Sequence, residues 1–269
     1  MANEIKMIVN PTFPAYASKK YSGFFLMRFF QNEEHRNYFL SGKLYMRSQT
    51  DFSKEEYGIG RDDWTEGADL VVAPWNQETF PDVRFVTGKD GSVAVQVTEY
   101  KERPEGYRDN QFFVNYPLTN QKRNIYCMYT LWCNTKENLL SNIDIKGMKS
   151  FGEYGVLITD WREFFNRVGQ AVKDEVSVSQ MNCGFVNYIE DSNMKNVMKM
   201  NPFIKPAKGF NYQNEFRFCA DTDNKNLLEL DAHIDFRDIA VPIRLNDFAK
   251  TVSFNDGCLK CKPDFTEEP

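Results

Sequence analysis

Short apolar runs separated by polar turns recur along this chain, and most of them alternate with the two-residue period of β-strands. In the first run, residues 23–29, alternation places Leu26 and Arg28 on the same face. The most apolar run, Ile125 to Trp132, indicates a buried central strand. The other predicted strands are residues 43–47, a hairpin over 83–97, 155–159, 185–189, 212–219 and 239–243.

Helix signals are fewer than strand signals. Asn32 is placed to cap a short helix that Gly42 ends, and Asp160 begins a second helix with Glu163 in the capping-box position. A third short helix is predicted over residues 191–200. Because strands outnumber helices and do not alternate strictly with them, the pattern predicts an α+β fold. We expect a mixed or mainly antiparallel sheet flanked by a few helices.

The pattern contains no repeat and no convincing linker. Residues 1–20 are predicted to be an extended lead-in, since two prolines interrupt any regular element there. Residues 21–269 are predicted to form a single α+β domain, within which the polar stretch 100–122 is an excursion from the core.

Composition narrows the class of protein. The chain is 42% hydrophobic and 15% aromatic, enough for a sizeable core, and its net charge of -5 lacks the basic footprint of a non-specific nucleic-acid binder. No run of about 18 apolar residues predicts a membrane helix, and the N-terminus has no signal-peptide pattern. Most of the six cysteines lie in apolar runs, which predicts reduced thiols and a cytoplasmic location.

Templates for catalysis and metal binding are missing. The chain has no Walker A loop, GxGxxG, GxSxG or HExxH motif, and only two histidines, His35 and His233. The CxxC of Cys258 and Cys261 lacks the second pair that a zinc ribbon needs. We therefore expect no metal site and no bound cofactor.

Two polar segments carry the candidate binding residues. The acidic loop with Asp62, Asp63 and Glu66 is either a solvated loop or a group of carboxylates that holds a hard cation or approaches a cleft. The late strand places Gln213, Glu215 and Arg217 on one face.

The charged row of the late strand has two interpretations. Glu215 and Arg217 form either an ion pair on the solvent side of a sheet or a cleft-facing carboxylate oriented by its arginine. Arg28 is the only charge in its apolar strand, so it lies either at the strand end, where it reaches water, or opposite a partner across the sheet, for which Glu215 is a candidate.

Several short segments resemble a group of bacterial and phage proteins. The matching pieces are LMRFF (26–30), SGKLYMRSQTDF (41–52), RDDWTEGAD (61–69), IYCMYTL (125–131), FGEYGVLITDWREFF (151–165) and NYQNEFRF (211–218). The resemblance implies a phage, prophage or mobile-element setting in a bacterial host cell. For a binding protein in that setting we expect a host or phage protein as partner. It carries over no activity.

A second similarity concerns the order of four residues. ADP-ribosyltransferases place an Arg or His on an early strand, a Tyr or Ser on the next strand and a Glu on a late strand. Arg28, then Tyr45 or Ser48, then Glu215 match that order. This similarity implies NAD as cofactor and these residues as the catalytic set.

Two functions therefore stay open. The first is a non-catalytic protein that binds a macromolecule, which predicts an exposed apolar or aromatic patch, often with a symmetric second copy. The second is an ADP-ribosyltransferase-like or other nucleotide-handling enzyme, which predicts that Arg28 and Glu215 converge in one cleft. The sequence leaves open whether the protein is an enzyme.

Overall fold

The computed structural model describes residues 7–10, 12–53, 66–68, 70–72, 79–87, 93–105, 114–116, 122–175, 177–193, 197–222 and 227–262. The helices in these ranges are α1 (Ala15–Ser18), α2 (Glu33–Leu40), α3 (Ile145–Met148), α4 (Trp161–Asp174) and α5 (Phe248–Thr251). The strands are β1 (Met7–Asn10), β2 (Gly23–Phe30), β3 (Lys43–Ser48), β4 (Leu70–Val72), β5 (Phe80–Thr87), β6 (Val93–Tyr100), β7 (Val114–Tyr116), β8 (Lys122–Asn134), β9 (Leu139–Leu140), β10 (Tyr154–Ile158), β11 (Val178–Phe185), β12 (Asn187–Ile189), β13 (Val197–Lys199), β14 (Ile204–Pro206), β15 (Glu215–Thr222), β16 (Leu227–Asp231), β17 (Ala240–Arg244), β18 (Val252–Asn255) and β19 (Cys258–Cys261).

One ten-stranded sheet organises the fold. Its main path runs β1-β11-β15-β8-β2-β10-β17, and all neighbours on it are antiparallel except β1 and β11. Strands β3 and β9 also pair with β8, and β16 pairs with β3. The α+β class, the mainly antiparallel sheet and the central position of β8 are thus confirmed.

The two faces of the sheet have different covers. On one face, which we call the helical face, Phe39 of α2 and Phe164 of α4 pack in one core cluster with Phe216 and Phe218 of β15. On the second face, α3 and α5 pack in another cluster over β2, β8, β10 and β17. No helix in the described ranges is long and apolar enough to cross a membrane.

Local helix signals proved reliable. The Asn32 side chain accepts a hydrogen bond from the backbone of His35, and Asp160 accepts from the backbone N–H groups of Arg162 and Glu163. Gly42 has a φ of 93° just after α2. The predicted hairpin forms as β5 and β6.

Three expectations were wrong. The helix predicted over residues 191–200 is wrong at both described ends, because Asp191–Asn193 form a 3-10 turn and Val197–Lys199 pairs with β4 as a strand. The late strand begins at Glu215 and not at residue 212, since Asn211–Gln213 form a 3-10 turn. Part of the N-terminal lead-in belongs to the main sheet, where Met7–Asn10 pairs with β11. In each case long-range pairing decided the structure, and the local pattern did not contain it.

Gly152 offers a test of the junction between α3 and β10. Its φ is 124°, and a Cβ atom there would lie 2.0 Å from the carbonyl oxygen of Phe30. We expect Gly152→Ala to lower the free energy of unfolding by more than about 1 kcal/mol, measured by urea denaturation. Gly169→Ala is the matched control, because a Cβ atom at this position of α4 would meet no atom closer than 3.7 Å. The Gly169→Ala variant should be up to about 1 kcal/mol more stable than the wild type. Equal stabilities of the two variants would contradict the close contact at Gly152.

Candidate functional site

Two charged residues of β15 lie inside the protein. Glu215 and Arg217 alternate with Phe216 and Phe218, so the phenyl rings enter the helical face and the charges enter the second face. The Glu215 side chain is 7% exposed and that of Arg217 is 1% exposed. The interpretation of this pair as a surface ion pair is therefore wrong.

Four side chains form what we call the buried charge cluster: Glu66, Lys205, Glu215 and Arg217. The Arg217 guanidinium donates to both carboxylate oxygens of Glu66, at 2.8 and 2.7 Å, and its Nε donates to Glu215 Oε2 at 2.7 Å. Lys205 Nζ lies 2.8 Å from Glu215 Oε1 and 4.0 Å from Glu66 Oε2. Two anions and two cations therefore alternate around one point.

Two amide side chains extend the cluster. Gln49 donates to Glu66 Oε1 at 2.7 Å, and Gln213 accepts from Lys205 Nζ at 3.1 Å. Gln213 reaches the cluster from the 3-10 turn before β15 and not from the strand face on which the sequence placed it. The amides supply hydrogen bonds that the four charged groups do not give each other.

Strand pairing explains how Lys205 arrives there. β12 and β14 pair in parallel with Tyr188 opposite Lys205. The Tyr188 hydroxyl accepts a hydrogen bond from the backbone N–H of Glu215 at 3.0 Å. This short two-stranded unit therefore fixes the ammonium over the start of β15.

Electrostatics favours the ionised forms. Burial alone would raise the pKa of Glu215, but the charges and hydrogen bonds of Arg217 and Lys205 outweigh it and hold that pKa well below its usual range. Burial would lower the pKa of Arg217, and the carboxylates of Glu215 and Glu66 instead hold it well above its usual value. Glu215 and Arg217 are therefore both held in their charged forms.

These contacts limit the chemical roles that the Glu215 carboxylate can have. Its two oxygens are each engaged by a cation, Oε1 by Lys205 and Oε2 by Arg217. A general base or a substrate-orienting carboxylate needs an oxygen within reach of the substrate. The geometry gives Glu215 a structural role.

Arg28 does not meet Glu215. In the sheet Met27 pairs with Tyr129, which pairs with Glu215, so these three share the second face and Arg28 points to the helical face. There its guanidinium lies 4.6 Å from the ring centroid of Tyr126 and donates to the carbonyl of Cys127. Arg28 thus contacts a ring and a backbone carbonyl of β8, while its Nε has no hydrogen-bond partner and the guanidinium no carboxylate partner among the described residues.

The two remaining catalytic candidates also lie apart. Ser48 is buried on the helical face, where it pairs with Asn124 of β8. Tyr45 is 40% exposed on the opposite face of β3. The structure thus brings Glu66, Gln213, Glu215 and Arg217 together but separates them from Arg28, Tyr45 and Ser48, while Asp62 and Asp63 lie outside the described residues.

The exposed face around Tyr45 is a distinct surface. We call it the tyrosine ribbon: Tyr38 of α2, Tyr45 of β3, and Leu227 and Glu229 of β16. The rings of Tyr38 and Tyr45 stack at 4.9 Å, and the Tyr38 hydroxyl donates to Glu229 at 2.9 Å. The hydrogen bond with Tyr38 is the main cause that raises the pKa of Tyr45 to about 12. Leu227, on the same face, is 50% exposed.

Sequence reasoning missed two members of the cluster, Lys205 and Gln49. Lys205 carried a usable signal, since it is a single charge between Ile204 and Pro206, as Arg28 is in its own strand. Gln49 lies two positions after a predicted strand and carried no such signal. Cys258 and Cys261, three positions apart on β19, point to opposite faces of that strand, which does not suit a shared metal ion.

Removing one cation tests whether the cluster stabilises the fold. We expect Arg217→Met to lower the free energy of unfolding by about 3–5 kcal/mol, because Glu66 and Glu215 would stay buried without their main partner. Arg84→Met is the control, since Arg84 is exposed and pairs with Asp82 at the surface. Its expected cost is at most about 1 kcal/mol. Similar losses of unfolding free energy in the two variants would show that the buried charge cluster does not stabilise the fold.

The depressed pKa of Glu215 predicts the direction of the pH dependence. Its stabilisation is present above the unfolded pKa of about 4.3 and is lost as the pH falls below it. From pH 6 to pH 3, unfolding free energy should fall by up to about 1.4 kcal/mol per pH unit at the acid end on account of this group. The carboxyl carbon-13 shift of Glu215 in the folded protein should stay constant over that range. A titration midpoint near 4.3 would show that the ion pairs are not formed.

Comparisons with known proteins assign no function to this chain. No family model, no curated protein and no solved structure matches the chain. Function is therefore argued from the surfaces and contacts themselves.

Proposed function

We propose that this chain is a binding protein that acts by contact with a host or phage protein, and that the tyrosine ribbon is its contact surface. The observation that carries the proposal is the exposure of Tyr45 and Leu227 on the outer face of β3 and β16, where Tyr45 is opposite Glu229 and Leu227 is opposite Arg47. A monomer gains nothing from exposing these side chains together, whereas an interface buries them.

The chemistry of the ribbon suits a protein partner. Tyrosine is enriched in protein interfaces because it buries a large ring and keeps a polar end. The stack on Tyr38 and the Tyr38–Glu229 hydrogen bond restrict the rings before any partner arrives. Pre-ordered side chains lose less entropy on binding, which favours affinity.

The ribbon also carries charges that can orient a partner. Lys43 and Asp231 lie 3.9 Å apart at one end of the two strands. Both are partly exposed, so they form the kind of polar rim that surrounds the apolar centre of an interface. The resemblance to phage proteins supports a host or phage protein as the partner.

The rival hypothesis, an ADP-ribosyltransferase-like enzyme, gains no support from the geometry. Its four residues lie on different faces of the sheet, and Glu215 has both oxygens in ion pairs. The test is transfer of ADP-ribose from NAD by the purified protein. If transfer occurs and is lost in a folded Glu215→Gln variant, the enzyme hypothesis is supported and the binding proposal is overturned.

Substitution of the ribbon tests the proposed surface. We expect the double variant Tyr45→Ala, Leu227→Ala to bind its partner at least about 30-fold more weakly, since central interface residues contribute about 2 kcal/mol or more. The partner is identified by cross-linking in bacterial host lysate, and affinity is then measured with the purified pair. Sedimentation of the protein alone shows whether that partner is a second copy.

The control is Tyr100→Ala, which removes a tyrosine of similar exposure, 37%, on the β5–β6 hairpin. This variant should keep wild-type affinity. Equal affinity of the ribbon variant and the wild type, with both folded, would show that the partner binds elsewhere.

A further inference from the structure

A groove of about 440 Å³ lies between the N-terminal segment 16–21 and the segment 139–142, with Trp132 and Asn214 completing its lining. Its volume is within the range of small-ligand sites, about 300–1,000 Å³. It lies away from the tyrosine ribbon and shares no residue with it. The groove therefore concerns a different activity from the protein contact proposed above.

The charge of the lining is opposite to that of the protein. Although the chain has a net charge of -5, the described lining contains one lysine, Lys20, and no carboxylate. The Lys20 ammonium forms no ion pair within the described residues and lies 5.3 Å from the ring centroid of Tyr21. The groove therefore favours an anion and offers one cation to hold it.

Aromatic and amide groups complete the recognition surface. Tyr16 is 44% exposed, and ring edges of Trp132 and Tyr188 fix its orientation. The side-chain N–H of Asn214 donates to the Tyr129 hydroxyl at 3.3 Å, and the side-chain carbonyl oxygen of Asn214 has no partner among the described residues. Asn142, which also lines the groove, is exposed. Tyrosine rings stack with planar bases, and amides both donate to and accept from base edges.

A second observation comes from the base of the groove. Trp132 is 1% exposed, and its indole N–H has no hydrogen-bond partner in the described structure. Buried tryptophan N–H groups usually have one. Within the described residues this donor is therefore unsatisfied.

The buried charge cluster behind the groove does not oppose an anion. Asn214 lines the groove and directly precedes Glu215, so the groove lies next to the start of β15. Lys205 and Arg217 balance the charges of Glu66 and Glu215. The four charged groups of the cluster therefore add no net negative charge behind the lining.

We propose that this groove binds a nucleoside monophosphate, with the base on Tyr16, the base edge at Asn142 and Asn214, and the phosphate at Lys20. One ammonium matches one phosphate group, and the volume suits a single nucleotide.

Calorimetric titration of the full chain with AMP, GMP, CMP and UMP tests this site. We expect at least one of them to bind with a stoichiometry of one and with an affinity that falls as salt is added. Adenosine and inorganic phosphate, each carrying half of the recognised chemistry, should bind at least tenfold more weakly than the best nucleotide. Absence of binding by all four nucleotides would overturn the proposal.

Variants locate the binding. Tyr16→Ala and Lys20→Met should each weaken the best nucleotide at least tenfold, while Lys173→Met, at the end of α4, should leave its Kd unchanged. Melting temperatures of the ligand-free variants separate a lost contact from a lost fold. Should Tyr16→Ala or Lys20→Met be folded and keep the wild-type Kd, the groove is not the site.

Discussion

The hydrogen-bonded ion pairs of Arg217 hold together parts of the chain that are far apart in sequence. Its partners Glu66 and Glu215 lie 151 and 2 residues away, and Lys205 enters from a separate pair of strands. Each charge would be very costly to bury alone, so the second face of β15 is compatible with the fold only when all four groups meet. The rest of the sheet is arranged around that condition.

The same sheet keeps its candidate functional surfaces separate. Strict alternation sends Arg28 to the helical face and Glu215 to the second face, although the two strands are joined through β8. Tyr45 faces outward on β3, where it stacks on Tyr38. The order of residues along the chain suggested one catalytic set. The pleat of the sheet instead places Arg28 among packed side chains, Glu215 in a buried ion pair and Tyr45 on an exposed surface.

Interactions between residues close in the sequence could be predicted, and interactions between distant residues could not. Asn32 and Asp160 act on residues two or three positions ahead, so their helix caps were predictable. The alternation of charges and phenyl rings around Glu215 was also visible, but its environment was not. Burial of that strand depends on Glu66 and Lys205, and no local pattern encodes their arrival. Similarly, residues 197–199 became a strand because β4 was there to pair with.

Strand β8 hydrogen-bonds with β15, β2, β3 and β9 along its thirteen residues. A register slip of one residue would turn Tyr126 and Met128 toward the charges and would turn Cys127 and Tyr129 into the phenyl core. No single neighbour could follow such a slip without losing its pairing to the others. Insertions and deletions within Lys122–Asn134 should therefore be the least tolerated length changes in this part of the protein.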